Sequence, residues 1–302
     1  MLIYPKITEI FCIVDEFCKE YDKVVDASLL GNPSKRPSMM SKSEVIIRCI
    51  LFQLSGFRTF KHFYIFYVQK HMKGDFPSTV SYNRFTELVG QNLMAMTLFL
   101  KTCCLGDSTG ISFVDSTPIR VCKPKRIRNN KVCKGIATTR KSTMGWFQGF
   151  KLHSIINDKG EILNFTITQA NIDDRTPLKK KIFLDKIYGK LYADKGYIGK
   201  DLMQLLFAHG LHLITHIKNN TKNSLMTMSD KILLRKRSII ETVHDELKNS
   251  CQIEHSRHRS FTNFLSNIVA GLLAYSFLPK KPSIKYQKVA SNQLSFYESN
   301  SG

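Results

Sequence analysis

Two aspartates occupy equivalent positions along the chain. Asp115 follows the apolar run Ser112-Phe113-Val114 and precedes Ser116-Thr117-Pro118, while Asp194 follows Leu191-Tyr192-Ala193 and precedes Lys195-Gly196-Tyr197. Each reads as the end of a short strand, where a carboxylate is costly to bury unless it gains a cation or hydrogen bonds. Either one alone would simply begin a turn, as aspartate does well. Two of them in one chain point to a shared site. A third acid lies on the helix expected over 236–249. With Arg237 at zero and about 100° per residue, Glu241 falls at about 40° and Lys248 at about 20°, on one stripe. Ile239, Ile240, Val243 and Leu247 form a separate apolar face suited to packing on a sheet. An Arg–Glu pair on a solvated helix is the plain alternative, but it leaves the strand-end aspartates unaccounted for. Asp245 and Glu246 lie off the stripe, at about 80° and about 180°. Asp173 and Asp174 read as a loop or N-cap before a helix expected over 175–187.

The run Arg237, three residues, Glu241, six residues, Lys248 resembles the latter part of the Tyr-Arg-Glu-Lys signature of insertion-sequence transposases. Val114-Asp115-Ser116-Thr117 is similar to their first aspartate motif and Asp194-Lys195-Gly196-Tyr197 to their second. Ser78-Thr79-Val80-Ser81-Tyr82-Asn83-Arg84-Phe85 and Ile253-Glu254-His255-Ser256-Arg257-His258-Arg259 are similar to the bacterial insertion-sequence 982 group. The resemblance runs from about Ser41 to Tyr275, with Leu234 standing where the signature has its tyrosine. It implies an α/β, ribonuclease-H-like mixed sheet flanked by helices, preceded by an all-α region. Asp115 and Asp194 would lie on neighbouring strands, with Glu241 reaching in from a C-terminal helix. The three would hold two Mg²⁺ ions, with Mn²⁺ able to substitute. DNA would be cut at the element ends and the freed 3′-hydroxyl joined to a target. Elementary chemistry agrees: hard divalent ions favour carboxylate and phosphate oxygens, and a pair can activate a nucleophile and stabilise a leaving oxygen. The competing readings are a non-catalytic DNA-binding descendant and a nuclease that cuts without joining.

Candidate DNA contacts are spread along the chain. The stretch 120–141 carries Arg120, Lys123, Lys125, Arg126, Arg128, Lys131, Lys134, Arg140 and Lys141 without one acid. Directly after the first aspartate, it is placed to hold phosphate backbone. Arg257 and Arg259, with His255 and His258, follow the Glu241 helix in the same way. Arg237 and Lys248 would hold substrate phosphates, or Arg237 would orient Glu241. Lys195 and Tyr197 of the second aspartate motif join this DNA-binding set. Trp146 could stack on a base, although a packing role is commoner. His153 reads as a core histidine.

The elements that must position these residues follow from periodicity. Before residue 110, apolar residues recur at three- and four-residue steps, as in Ile7, Ile10, Phe11, Val14, Phe17 and again from Val45 to Leu54. That is a helical pattern, with Ser41 or Ser43 as N-cap of the second helix. Gly56-Phe57-Arg58 allows a helix-turn-helix. After residue 110 the texture is mixed. Strands are expected at 111–115, 150–156, 162–167, 191–194 and 211–217, with helices at 175–187, 198–209 and 236–249. The domain division expected is a helical DNA-binding or assembly region over 1–108, the catalytic domain over 109–279 and a polar tail over 280–302.

The whole chain is consistent with an acidic partner. Its 302 residues carry a net charge of +21 and a pI near 9.7, with 43% hydrophobic residues. This excludes a disordered chain and favours nucleic acid over an anionic membrane. The uncharged segment 261–278 holds Asn263, Ser266, Asn267 and Ser276 and reads as a buried helix rather than a span. Residues 1–15 lack a secretory pattern. Eight scattered cysteines without a CxxC pair fit a reducing compartment. These features suit a cytoplasmic protein, and the resemblance implies one that is nucleoid-associated and a homodimer in its active complex, because two element ends must be joined.

Overall fold

A computed structural model describes residues 4–28, 38–142, 145–216, 225–254, 258–285 and 294–296. The helices in chain order are α1 (Tyr4–Ser28), α2 (Lys42–Leu54), α3 (Phe60–His62), α4 (Tyr82–Gln91), α5 (Leu93–Phe99), α6 (Lys200–Ala208), α7 (Met228–Arg235), α8 (Ile239–Asn249) and α9 (Phe261–Ser276). The strands are β1 (Ile111–Cys122), β2 (Thr138–Ser142), β3 (Gly145–Asn157), β4 (Ile162–Gln169), β5 (Gly189–Ala193), β6 (Leu211–Thr215), β7 (Leu225–Thr227) and β8 (Leu294–Phe296). Contacts gather them into two units. One comprises Met1–Cys104, Lys131–Cys133 and Glu246–Leu278; the other comprises Leu105–Asn130, Lys134–Asp245 and Pro279–Gly302.

The first unit is helical. Its α2 starts at a reciprocal cap: Ser41 Oγ accepts the Glu44 N–H at 3.1 Å, and the Glu44 carboxylate accepts the Ser41 N–H at 2.9 Å. Ser43, the other candidate cap, instead donates to Asp15 of α1 at 2.7 Å. The helix is buried at Ser43 and from Val45 to Gln53 because α1, α4 and α9 all pack against it. The 60–72 stretch turns from α3 into a π-helix over Phe63–His71. Segment 261–278 forms α9, buried along nearly its whole length, with Ser266 Oγ donating to the Thr262 carbonyl at 3.0 Å. Gly271 is required here, since a Cβ would come within 2.1 Å of Ile253 Cγ2. Sequence order alone places α9 with residues 109–279; its packing partners α2, α4 and α5 group it with the N-terminal helices. Among the described residues no helix is long and apolar enough to cross a membrane.

The second unit is built on a mixed sheet. β1 pairs antiparallel with β3 from Ser112↔Asn157 to Cys122↔Gln148. The other edge of β3 pairs with β4 along Phe150–Ile156 and with β2 along Gly145–Gly149. On its far side β1 runs parallel to β5, and β5 parallel to β6. Four strands joined antiparallel (β1 to β4) and two parallel ones (β5 and β6), with β1 between the two sets, form a six-stranded, ribonuclease-H-like mixed sheet. Val114, Leu191, Ala193, Leu211 and Leu213 share one face with Leu202 and Leu206 of α6. The opposite face carries α8, whose His244 Nε2 lies 2.6 Å from Ser154 Oγ of β3.

Three expected elements differ. β1 does not stop at Asp115 but runs to Cys122, because β3 continues to pair with it. The 175–187 segment is not a helix but two 3-10 turns, Pro177–Lys179 and Lys181–Phe183, separated by the extended Lys180. Pro177 supplies no N–H, and the Asn164 amide takes the Ile182 and Phe183 carbonyls that a helix would have used. The 236–249 helix opens as a 3-10 turn over Lys236–Ser238 before α8 begins. Within the polar tail, β8 pairs with β7.

Candidate active site

The parallel register between β1 and β5 places the two aspartates. Ser112 pairs with Leu191 and Phe113 with Tyr192, and their rings stack at 5.4 Å. Two residues further along each chain come Asp115 and Asp194, level with one another and on the face shared by Phe113 and Tyr192. β5 ends at Ala193, so Asp194 leaves the sheet just where the pairing stops. Asp115 stays in β1 opposite Ser154, its Oδ1 accepting the Ser116 N–H at 2.8 Å.

Arg237 ties the third acid to this pair. Its Nη1 lies 3.4 Å from Asp115 Oδ2, and its Nη2 lies 3.8 Å from Asp194 Oδ1 and 3.2 Å from Glu241 Oε1. The 3-10 turn before α8 aims the guanidinium at the strand ends, while Ile239, Ile240 and Val243 are buried beneath. Asp115, Asp194 and Glu241, drawn from 127 positions of sequence, therefore meet around one cation. Three carboxylates to one guanidinium leave a formal excess of two negative charges. Asp115 registers the imbalance. Burial, joined by the Glu241 and Asp194 charges, pushes its carboxyl up to about 6 against the pull of the Ser116 N–H and Arg237.

This donor set fits divalent cations: every convergent group is a carboxylate oxygen, the charge is in excess, and Asp194 and Glu241 are exposed. Among the described residues no three His, Cys, Asp or Glu side chains converge closely enough to share one ion. The guanidinium holds the centre.

The reverse face of β1 carries a second polar group that the sequence did not reveal. Ser116 Oγ and Lys151 Nζ each donate to Asp174 Oδ1 at 2.7 Å, and His153 Nδ1 lies 3.9 Å away. Asp174 is thus an ion-pair partner, while Asp173 closes the Arg175 loop at 2.9 Å. His153 is a core residue as expected; its Nε2 bonds Thr168 Oγ1 at 2.8 Å, and burial pushes its pKa down to about 4. The available signal was the alternation of Lys151 and His153 along an otherwise apolar strand, which sets both on one face. A further buried acid, Asp230, bonds Lys190 Nζ at 2.7 Å and the Tyr192 hydroxyl at 2.6 Å, pinning α7 to β5.

The expected DNA contacts divide. Arg126, on a 3-10 turn, and Arg128 are exposed, as are Lys195 and Arg259. Lys248 pairs with Glu254 at 3.7 Å. Tyr197 is a correction: it is 3% exposed and packs among Leu178, Phe183 and Leu202, so its ring is out of reach of a DNA strand. Trp146 is also corrected, being 61% exposed at the start of β3 rather than packed. Leu234, at the signature's tyrosine position, is buried. Arg257 and His255 lie outside the described residues.

The transposase DDE domain family matches residues 105–261, just over half of the chain. The chain belongs to this family. The matched stretch contains Asp115, Asp194 and Glu241 together with the guanidinium between them. Among solved structures, this transposase-family chain is similar to the piggyBac transposase synaptic complex with hairpin DNA, at 10% identity over 90% of this chain and 74% of that one, with a TM-score of 0.42. It is also similar to the Mos1 transposase paired-end complex with the left transposon end, at 10% identity over 85% and 84%, with a TM-score of 0.26. No curated protein sequence matches it.

Proposed function

We propose that this chain is a divalent-metal-dependent DNA transposase of a bacterial insertion sequence of the 982 type, with Asp115, Asp194 and Glu241 as its acidic triad. The observation that carries the reading is the meeting of these three carboxylates around Arg237, within the stretch matched by the transposase family. Mg²⁺, or Mn²⁺ in its place, would be held by the three acids as a pair of ions. Bound there, such ions make a water or 3′-hydroxyl nucleophilic and stabilise the leaving oxygen.

The protein's own groups do the rest. Asp115 and Asp194 offer level oxygens from a rigid sheet, and Glu241 closes the third side from the start of α8. Asp115 must shed its proton to contribute, and Arg237 favours that ionisation. Arg237 also damps repulsion among the acids before a substrate arrives, then offers its donors to a phosphate once they are neutralised. Exposed Arg126, Arg128, Lys195 and Arg259 hold strand backbone. In this reading the enzyme works as a homodimer on the two element ends and their target, in the cytoplasm beside the nucleoid.

The test is incubation with element-end DNA and Mg²⁺, resolving both strands, for the wild type and Asp194→Ala. Cleavage and joining by the wild type alone support the reading. End binding without cleavage by either protein favours the non-catalytic DNA-binding alternative.

A further inference from the structure

The helical unit contains a cleft of about 610 Å³, separate in composition from the acidic site. Such a volume suits a ligand of nucleotide size. Its rim is basic: Arg58, Lys61 and Arg259 are exposed there, and no acidic side chain lines it among the described residues. Its wall is aromatic, with Phe60 and Tyr82 meeting at 6.4 Å and 64°. Arg259 also acts on the Tyr82 phenol: burial raises its pKa and the Arg259 charge opposes that rise.

The floor holds the deciding group. Gln53 is 1% exposed, and its Nε2 donates to Asn267 Oδ1 at 2.8 Å and to the Asn267 carbonyl at 3.2 Å. Asn267 Nδ2 is itself committed to the Ile253 carbonyl at 3.1 Å, so Asn267 Oδ1 can only accept. That chain fixes the Gln53 amide with its nitrogen toward α9. Its Oε1 is left buried with no hydrogen-bond partner. A buried acceptor of this kind costs stability until a donor reaches it. His258 at the same cleft is kept neutral by burial, its pKa pushed down to about 4, so the cations of the rim are the arginines and lysine alone.

We propose that this cleft receives one unpaired nucleotide of a DNA strand, its amine-bearing base stacked on Tyr82 and Phe60 and donating an N–H to Gln53 Oε1, its phosphate on Arg58, Lys61 and Arg259. Adenine and cytosine carry the needed exocyclic amine; thymine presents a carbonyl oxygen at that position, which would meet Oε1 acceptor to acceptor. The strand as source rests on the DNA-acting reading above. The ligand chemistry rests on the cleft alone.

The experiment measures binding of fluorescein-labelled single strands dC8, dT8 and an abasic octamer to the full chain at fixed salt. The wild type, Gln53→Leu, Tyr82→Ala and Arg259→Ala are compared after their folding has been checked by circular dichroism. The proposal expects dC8 to bind about tenfold tighter than dT8, and the abasic strand weakest. Gln53→Leu should erase the preference for dC8 while leaving dT8 affinity in place, and Tyr82→Ala should weaken both base-bearing strands about tenfold. Equal binding of dC8 and the abasic strand, an unchanged preference in folded Gln53→Leu, or unchanged affinities for dC8 and dT8 in folded Tyr82→Ala would overturn it. Competition by free dCMP at the concentration at which dC8 acts would overturn the strand as the source. The binding is read without divalent ion, where no cleavage takes place, which separates this outcome from failure of the catalytic reading.

Discussion

The Arg237 guanidinium reaches Asp115 across 122 positions of sequence, its Nη1 standing 3.4 Å from Oδ2. The same side chain touches Asp194 and Glu241, so one residue senses the whole acidic set. Arginine suits the role because its donors are fixed in a planar fork and its charge is permanent. It balances the acids, and under the proposed reaction it is the group that would have to release them to ions and phosphate.

Arg237→Ala removes the strongest cationic pull on Asp115. The acid limb of the pH–rate profile for DNA cleavage should therefore move to higher pH, with the maximal rate lowered. Replacement by Lys should restore the limb only partly, since one ammonium cannot span three carboxylates. An acid limb that stays in place in Arg237→Ala would separate Arg237 from Asp115.

Asp115 also makes a stability prediction. Its carboxyl titrates near 6 in the fold, above the ~3.9 of an unfolded aspartate. The native state then holds the proton more tightly than the unfolded chain. The stability this gives is complete below about pH 3.9 and is lost as pH rises through about 6. With chelator present, Asp115→Asn should exceed the wild type by up to about 3 kcal/mol at pH 8, and the gap should close toward pH 4. Urea melts across this range read it directly.

On the other face of β1, Asp174 balances Lys151, whose side chain is 6% exposed. Asp174→Ala leaves that ammonium buried without its carboxylate and should cost about 3 kcal/mol of unfolding free energy. Asp173→Ala, which breaks only the exposed Arg175 pair, should cost under about 1 kcal/mol.

The basic stretch between β1 and β2 predicts a salt effect. Arg126→Ala and Arg128→Ala should each weaken binding to every duplex about equally and make the slope of log K against log salt shallower by about one. Binding titrations from low to physiological salt on two unrelated duplexes measure both quantities.

Much of this site could be read from residue order, and the exceptions have physical causes. The Arg237–Glu241 spacing anticipates their contact because both lie within one turn of chain. The apolar runs before Asp115 and Asp194 announce strands, but their level placement depends on the β1–β5 register, a pairing of segments about eighty residues apart that no local pattern encodes. Tyr197 reads as a DNA contact because its motif neighbours are exposed, whereas its own ring turns into the core beside Leu178 and Phe183. The 175–187 segment reads as a helix but folds as turns because Asn164 of β4, outside the segment, takes its carbonyls. For α9 the apolar content gave burial correctly, while its partner α2 lies more than two hundred residues earlier.

Direct measurement of ion binding reaches the centre of the account. Mn²⁺ titrations followed by electron paramagnetic resonance at pH 8, without DNA, should show bound ion for the wild type. Asp115→Asn, Asp194→Asn and Glu241→Gln should each weaken that binding at least tenfold while the fold is retained. Wild-type affinity in all three folded variants would contradict the proposal that these carboxylates form the metal-binding triad.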